Sequence, residues 1–289
     1  MVEKINLNCQ QDRLLEIRAE QIRKHALSVP EVYCKSEEMI FLAKQIKKEC
    51  MSVFCELPFC NTVEMEALGA EIYYAKDGNG PRVRNYKFTN LDELLALPEM
   101  DLETGRVSEV LKACKELCEQ GETVLLEISG PITIWNGLLD PSKLFLGMRK
   151  NQEKMALLYE KMKQDLLRYI QKAYDCGVRY ISYADPVASM HIIGPQASKK
   201  LSEMFTYDFL KRVEQETEED LMILLCPKTT AALLASEKAT LALMELDEAV
   251  SYEEACVLKR GKSKFAGQMC VRNKGKLLED KEFKEVRLC

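Results

Sequence analysis

The sequence predicts an α/β fold: a (β/α)8 barrel of the TIM type, irregular or incomplete at the seam where its N- and C-terminal ends meet. Three observations carry this. Short apolar runs bounded by Gly, Pro or charged residues alternate with longer segments of helical period. The runs are nearly continuous in hydrophobicity, as strands covered by helices on both faces are. About seven such units follow one another, which favours a ring over a doubly wound sheet.

The elements follow in order. Residues 9–27 place Leu14, Ile17 and Ile22 among charges as an amphipathic helix, and residues 36–51 form a second, with Ser36 and Glu38 at a capping start. No first strand is visible before residue 51, so residues 1–50 read as an N-terminal helical segment and 51–289 as the barrel, one domain overall. "SVFCELPF" is a short strand, "NTVEMEALGAEIYYA" a helix ending near Gly69, and "KDGNGPR" a turn. "DLETGRVSEVLKACKELCEQG" is a helix closed by Gly121, followed by the strand "ETVLLEISGP". In "NQEKMALLYEKMKQDLLRYIQKAYDCG", Met155, Leu158, Met162, Leu166 and Ile170 recur at three or four residues on one helical face, and Gly177 ends it. "VRYISYADP" is a strand, "SKKLSEMFTYDFLKRVEQETEE" a helix, "LMILLC" a strand and "TTAALLASEKA" a short helix. "LALMELD", "SKFAGQMC" and "KEVRLC" are the last strands, with "SYEEACVLKRG" a helix between the first two. The stretch from Val271 to Glu285 is short for a parallel crossover.

Composition narrows the function classes. With 289 residues, net charge −5 and no basic stripe, nucleic acid is not an expected partner. No apolar run is long enough to span a bilayer, and the N-terminus lacks an apolar signal core, so a cytoplasmic location is expected. Twelve cysteines without a CxxC pair read as free thiols. Cys114 and Cys118, at i and i+4 on a helix, read as packing residues.

In either α/β architecture, chemistry lies just past the carboxyl ends of the strands. The pattern puts Cys60, Ser129-Gly130-Pro131, Asp185-Pro186, Cys226, Asp247, Cys270 and Cys289 there. Each has a plain alternative: Cys226 a core thiol, Asp185 a loop cap, and Glu64 and Glu66 partners of a helix dipole. Gly130 permits close approach to a ligand, and His25 reads as a surface residue.

"LPFCNTVEMEALGAE", "ISGPITI", "YADPVAS" and "IIGP", in that order, resemble the uroporphyrinogen decarboxylase superfamily, and most of all its methylcobamide:coenzyme M methyltransferase branch. The resemblance implies a barrel with one cleft at the carboxyl end of its strands. Where the porphyrin decarboxylases carry an aspartate that gathers pyrrole N–H groups, this chain has Cys60, or Asn61 one place on. The methyltransferase branch implies a zinc ion that activates a thiol acceptor, with the methyl donor, a methylcobamide, on a separate corrinoid protein. In "LMILLCPKTT", Cys226 matches the zinc cysteine, while Leu224 stands at the histidine position and Pro227 at the glycine position. Cys289 matches the distal cysteine, and His191, after the preceding strand, is a replacement ligand on our own reading. Three readings stay open: a corrinoid-dependent thiol methyltransferase with a degenerate metal site, a decarboxylase of uroporphyrinogen or another acid, and a non-catalytic paralogue that binds a corrinoid protein or small ligand. The site set is Asp185 as catalytic, Cys60, Asn61, Ser129, Gly130 and His191 in the cleft, and Cys226 and Cys289 on metal. A small thiol or tetrapyrrole-type ligand is the expected small molecule, and homodimers occur in the superfamily.

Overall fold

A computed structural model of the chain describes residues 5–9, 11–75 and 80–289. Helices α1 (Gln11–Lys24), α2 (Glu31–Cys34) and α3 (Ser36–Cys50) lead to strand β1 (Phe54–Leu57). The segment expected as one helix after β1 divides. Helix α4 (Val63–Ala67) stops at the turn made by Gly69, whose φ of +94° only glycine adopts without strain, and Ile72–Tyr74 becomes β2, paired antiparallel with β3 (Pro81–Val83). Most of the turn predicted between them lies outside the described residues. Then come α5 (Leu91–Leu95), α6 (Gly105–Glu119), β4 (Thr123–Ser129), α7 (Pro131–Leu138), α8 (Pro141–Lys150), α9 (Gln152–Asp175) and β5 (Tyr180–Ala184). A short α10 (Met190–Ile193) precedes α11 (Pro195–Leu201), which runs through a π turn at Ser202–Thr206 into α12 (Tyr207–Glu216). The chain ends with β6 (Met222–Leu225), α13 (Pro227–Ala235), β7 (Ala239–Glu245), α14 (Tyr252–Lys259), β8 (Phe265–Ala266) and β9 (Glu282–Leu288).

The sheet order is β1-β4-β5-β6-β8-β9-β7, with β1 to β8 parallel in that series. The sheet is mixed where a parallel (β/α)8 ring, irregular or incomplete at its seam, was expected. β9 runs antiparallel to both β8 and β7, which explains why residues 271–285 need no crossover helix. β7 is passed over by β8 and pairs at the far edge, and its alternating burial, with Leu243 half exposed, is that of a strand open on one face. Among the described residues no ladder joins β7 to β1, so the arrangement is barrel-like without a demonstrated closure. Ser36 does not cap its own helix; its N–H is held by Glu109 of α6 instead. His25, just past α1, sets its ring edge against Phe41 at 5.1 Å.

Alternation along each strand divides the side chains between two cores. Cys55, Val124, Leu126, Ile181 and Ile223 face outward into the layer of covering helices. There α9 buries the stripe Met155, Leu158, Met162, Leu166 and Ile170, each worth roughly 2 kcal/mol of transfer free energy. Phe54, Leu125, Tyr180 and Met222 face the other way, against Tyr252 of α14 and Phe283 of β9. This inner core fills one end of the sheet and leaves the other end open.

Candidate functional site

Strand register builds the open end in rows. Above the apolar row Leu125–Tyr180–Met222 stands Glu127–Ser182–Leu224, and above that Ser129 beside Ala184, with Cys226 following β6. The chain crosses here from buried hydrocarbon to polar groups, at the carboxyl ends of the parallel strands. A cleft of about 540 Å³ opens over these rows, walled further by Arg18, Phe59, Cys60 and Asn61, and by Cys270 and Arg272. Larger hollows of about 790 and 720 Å³ lie elsewhere, one between α1 and residues 272–276, the other between α8 and α11.

Cys60, Asn61, Ser129 and Cys226 therefore share one cleft. Arg106, buried on α6, holds the loop that carries Cys60: it donates to Thr62 Oγ1 at 2.8 Å, meets Glu66 at 2.7 Å and reaches Cys60 Sγ at 3.5 Å. Cys226 is half-buried at the N-cap of α13. Burial pushes its thiol pKa up, and the N–H groups of Lys228 and Thr229 pull against that without overcoming it. Cys270 lies beside Cys9, with their sulfurs 3.5 Å apart.

Asp185 and Gly130 sit behind this wall. Asp185 is buried, and its carboxylate accepts from Ile132 N at 3.1 Å, Thr133 N at 2.8 Å and Thr133 Oγ1 at 2.6 Å, so it caps the first turn of α7 from the end of β5. Burial raises its pKa to about 6 against those hydrogen bonds. Gly130 is the counterpart of that cap: a Cβ there would stand 2.5 Å from Asp185 Cβ. The close approach that requires glycine is to Asp185. His191 is exposed on α10 and does not line the cleft. Cys289 is exposed at the end of β9; since that strand runs antiparallel, it lies toward the opposite end of the sheet from Cys226.

A cluster of four charged residues was not expected. Glu56 on β1 and Glu127 on β4 point inward, bound by Arg272 at 2.9 and 2.6 Å, and Lys274 also pairs with Glu56. Burial would raise both carboxyls; Lys274 and Arg272 outweigh it and lower Glu56, while Glu127 stays raised. A charged residue inside an otherwise apolar strand was the available signal. Glu64, read as a helix-dipole partner, is instead 1% exposed. Its Oε1 accepts from Ser129 N at 2.8 Å, its Oε2 has no partner, and burial lifts its pKa to about 7.

The donor set does not fit zinc. Among the described residues, no group of three or more His, Cys, Asp or Glu comes together as a metal site, and Cys226, His191 and Cys289 are dispersed as described. Structural and catalytic zinc sites use three or four protein ligands. No helix among the described residues is long and apolar enough to cross a membrane.

Comparison with known proteins places this architecture. The chain is 24% identical over 242 residues to the methylcobamide:CoM methyltransferase MtbA of Methanosarcina mazei, covering 82% of this chain and 70% of that protein. It is 24% identical over 180 residues to the methylcobamide:CoM methyltransferase MtaA of Methanosarcina barkeri, covering 61% of this chain and 52%, about half, of that protein. A solved methyltransferase from Methanosarcina mazei shares the fold, with a TM-score of 0.63 at 21% identity over 74% of this chain and 65% of that one. The uroporphyrinogen decarboxylase (URO-D) family profile matches residues 14–271, so the chain belongs to that family, close to its methylcobamide:CoM methyltransferases.

Proposed function

We propose that the chain is a methyl-transfer protein that takes a methyl group from a methylcobamide carried on a separate corrinoid protein and passes it to a small thiol in the cleft. The observation that carries this reading is the position of Cys226: it lines a 540 Å³ cleft at the end of β6, in a chain whose relatives are named for such a transfer. The acceptor sulfur forms a bond to the methyl carbon as the carbon–cobalt bond breaks, with the electron pair remaining on cobalt. The acceptor must enter as thiolate, and the exposed cations Lys228 and Arg82 on the lining favour that form. Asp185 acts as a positioning residue, fixing the start of α7 behind Ser129. The zinc-activated form of the transfer lacks a three-donor set among the described residues, so zinc is given no part in the step. A tetrapyrrole decarboxylase is disfavoured by Cys60 and Asn61 on the cleft wall, since neither is a carboxylate acceptor for pyrrole N–H groups.

The test is anaerobic incubation with methylcobalamin and a panel of small thiols, with and without a chelator. The proposal expects protein-dependent demethylation and a methyl thioether, both insensitive to the chelator. Absence of turnover, or its loss on chelation, counts against it.

A further inference from the structure

Two thiols from distant parts of the chain meet on the lining of the cleft. Cys9 precedes α1 and Cys270 follows β8, 261 residues further on. Their sulfurs stand 3.5 Å apart, with the Cys270 thiol donating toward Cys9 Sγ. Backbone contacts hold the two segments side by side. Asn6 N–H donates to Gln268 O at 2.8 Å, Asn6 bridges to Met269 in parallel, and Asn273 Nδ2 donates to Asn8 O at 2.7 Å. The fold thus meets the cost of closing this long loop before any bond joins the sulfurs. A disulfide needs them about 2 Å apart, an approach of roughly 1.5 Å. The two thiols differ in access: Cys9 is exposed, whereas Cys270 is 8% exposed. An accessible sulfur that attacks and a sheltered one that resolves are the two parts thiol–disulfide exchange requires. Arg82, Lys228 and Arg272 on the same lining favour a thiolate there. Contact with Cys9 and burial push the Cys270 thiol pKa up, which keeps the shared proton on Cys270 and leaves Cys9 as the nucleophile.

We infer that Cys9 and Cys270 form a redox-active pair that reduces small organic disulfides entering the cleft. The Cys9 thiolate attacks one sulfur of the small disulfide, whose S–S bond breaks. One half leaves as thiolate, and the other stays on Cys9 as a mixed disulfide. Cys270 then attacks the Cys9 sulfur and expels that second half. The two protein thiol protons pass through solvent to the two departing thiolates. The protein sulfurs are oxidised by two electrons to a disulfide, and the small disulfide is reduced to two thiols. The inference rests on the methyl-transfer reading only for calling the released thiol an acceptor: a disulfide has no thiolate to methylate, and reduction in the cleft supplies one.

The test mixes reduced protein, freed of reductant, with 2-hydroxyethyl disulfide under anaerobic conditions. Samples are acid-quenched and alkylated, and their peptides mapped by mass spectrometry. Wild type is expected to yield a Cys9–Cys270 disulfide, forming at least about tenfold faster than any other cysteine is modified. Cys270→Ser is expected to halt with Cys9 carrying the mixed disulfide. Cys9→Ser is expected to leave the buried Cys270 unmodified on that timescale. Wild type that forms no Cys9–Cys270 link, or that links either residue to Cys226 instead, overturns the inference. So does modification of Cys270 in Cys9→Ser at the wild-type rate, since Cys9 would then not be the attacking sulfur. A Cys9–Cys270 link in a protein that fails to demethylate methylcobalamin leaves the pair standing and removes the transfer reading. Demethylation by a protein that forms no link does the reverse.

Discussion

Glu64→Gln should flatten the pH dependence of stability. Glu64 is fully buried, with one oxygen on the Ser129 N–H and the other unpartnered, so the fold disfavours its ionised form. Its folded pKa is about 7 against an ordinary 4.5. A carboxyl whose pKa is raised by folding binds more protons in the native state than in the unfolded one. Stability from this group is therefore present below the ordinary value and is lost as pH rises through the folded value. The difference, 7 − 4.5, is about 2.5, and at about 1.4 kcal/mol for each it amounts to about 3 kcal/mol. Urea unfolding of wild type and Glu64→Gln, followed by the fluorescence of the sole tryptophan, Trp135 on α7, reads the effect. Relative to wild type, the variant should gain about 2 to 3 kcal/mol between about pH 5 and about pH 8. If the two proteins keep a constant difference across that window, the unpaired burial of Glu64 is refuted.

Other changes probe the same end of the sheet. Gly130→Ala places a methyl 2.5 Å from Asp185 Cβ and should lower stability by about 1 to 3 kcal/mol, read as a drop in melting temperature. Asp185→Asn turns an amide N–H toward donors it cannot satisfy and should lose about 2 kcal/mol in urea unfolding at neutral pH. Arg272→Met strands Glu127, leaves Glu56 with Lys274 alone and should lose about 3 to 5 kcal/mol, with part of the loss recovered in the double variant with Glu127→Gln. Dialysis against a chelator should leave the unfolding midpoint unchanged and elemental analysis should find no stoichiometric zinc, because no three-donor group assembles among the described residues.

What the sequence reveals follows from how local each cause is. The stripe of α9, the end of α6 at Gly121 and the strands "LLEIS" and "MILLC" are set by period and by glycine, and the structure has them where the pattern puts them. The pairing of β7 with β9 is not local: two segments some forty residues apart in sequence meet antiparallel, and nothing within either gives the partner or direction. Strand alternation could have found Glu127 and Ser182, since both fall on the face of Leu125 and Tyr180 in runs that otherwise read as apolar. Helical spacing held a similar signal at Arg18, four residues from both Leu14 and Ile22 on the buried stripe of α1. The role of Gly130 could not be read at all, because the group it accommodates, Asp185, comes from a different strand.

The account turns on the cleft at the carboxyl ends of β4, β5 and β6 being where methyl transfer occurs. Ser182 lines its floor, so Ser182→Leu should fill it with little change in the sheet. The decisive measurement is the rate of methylcobalamin demethylation by a small thiol for Ser182→Leu and for Cys289→Ala, each against wild type. The account predicts at least about a tenfold loss for Ser182→Leu and none for Cys289→Ala at the other end of the sheet. Equal rates for Ser182→Leu and wild type, or a loss confined to Cys289→Ala, would contradict it.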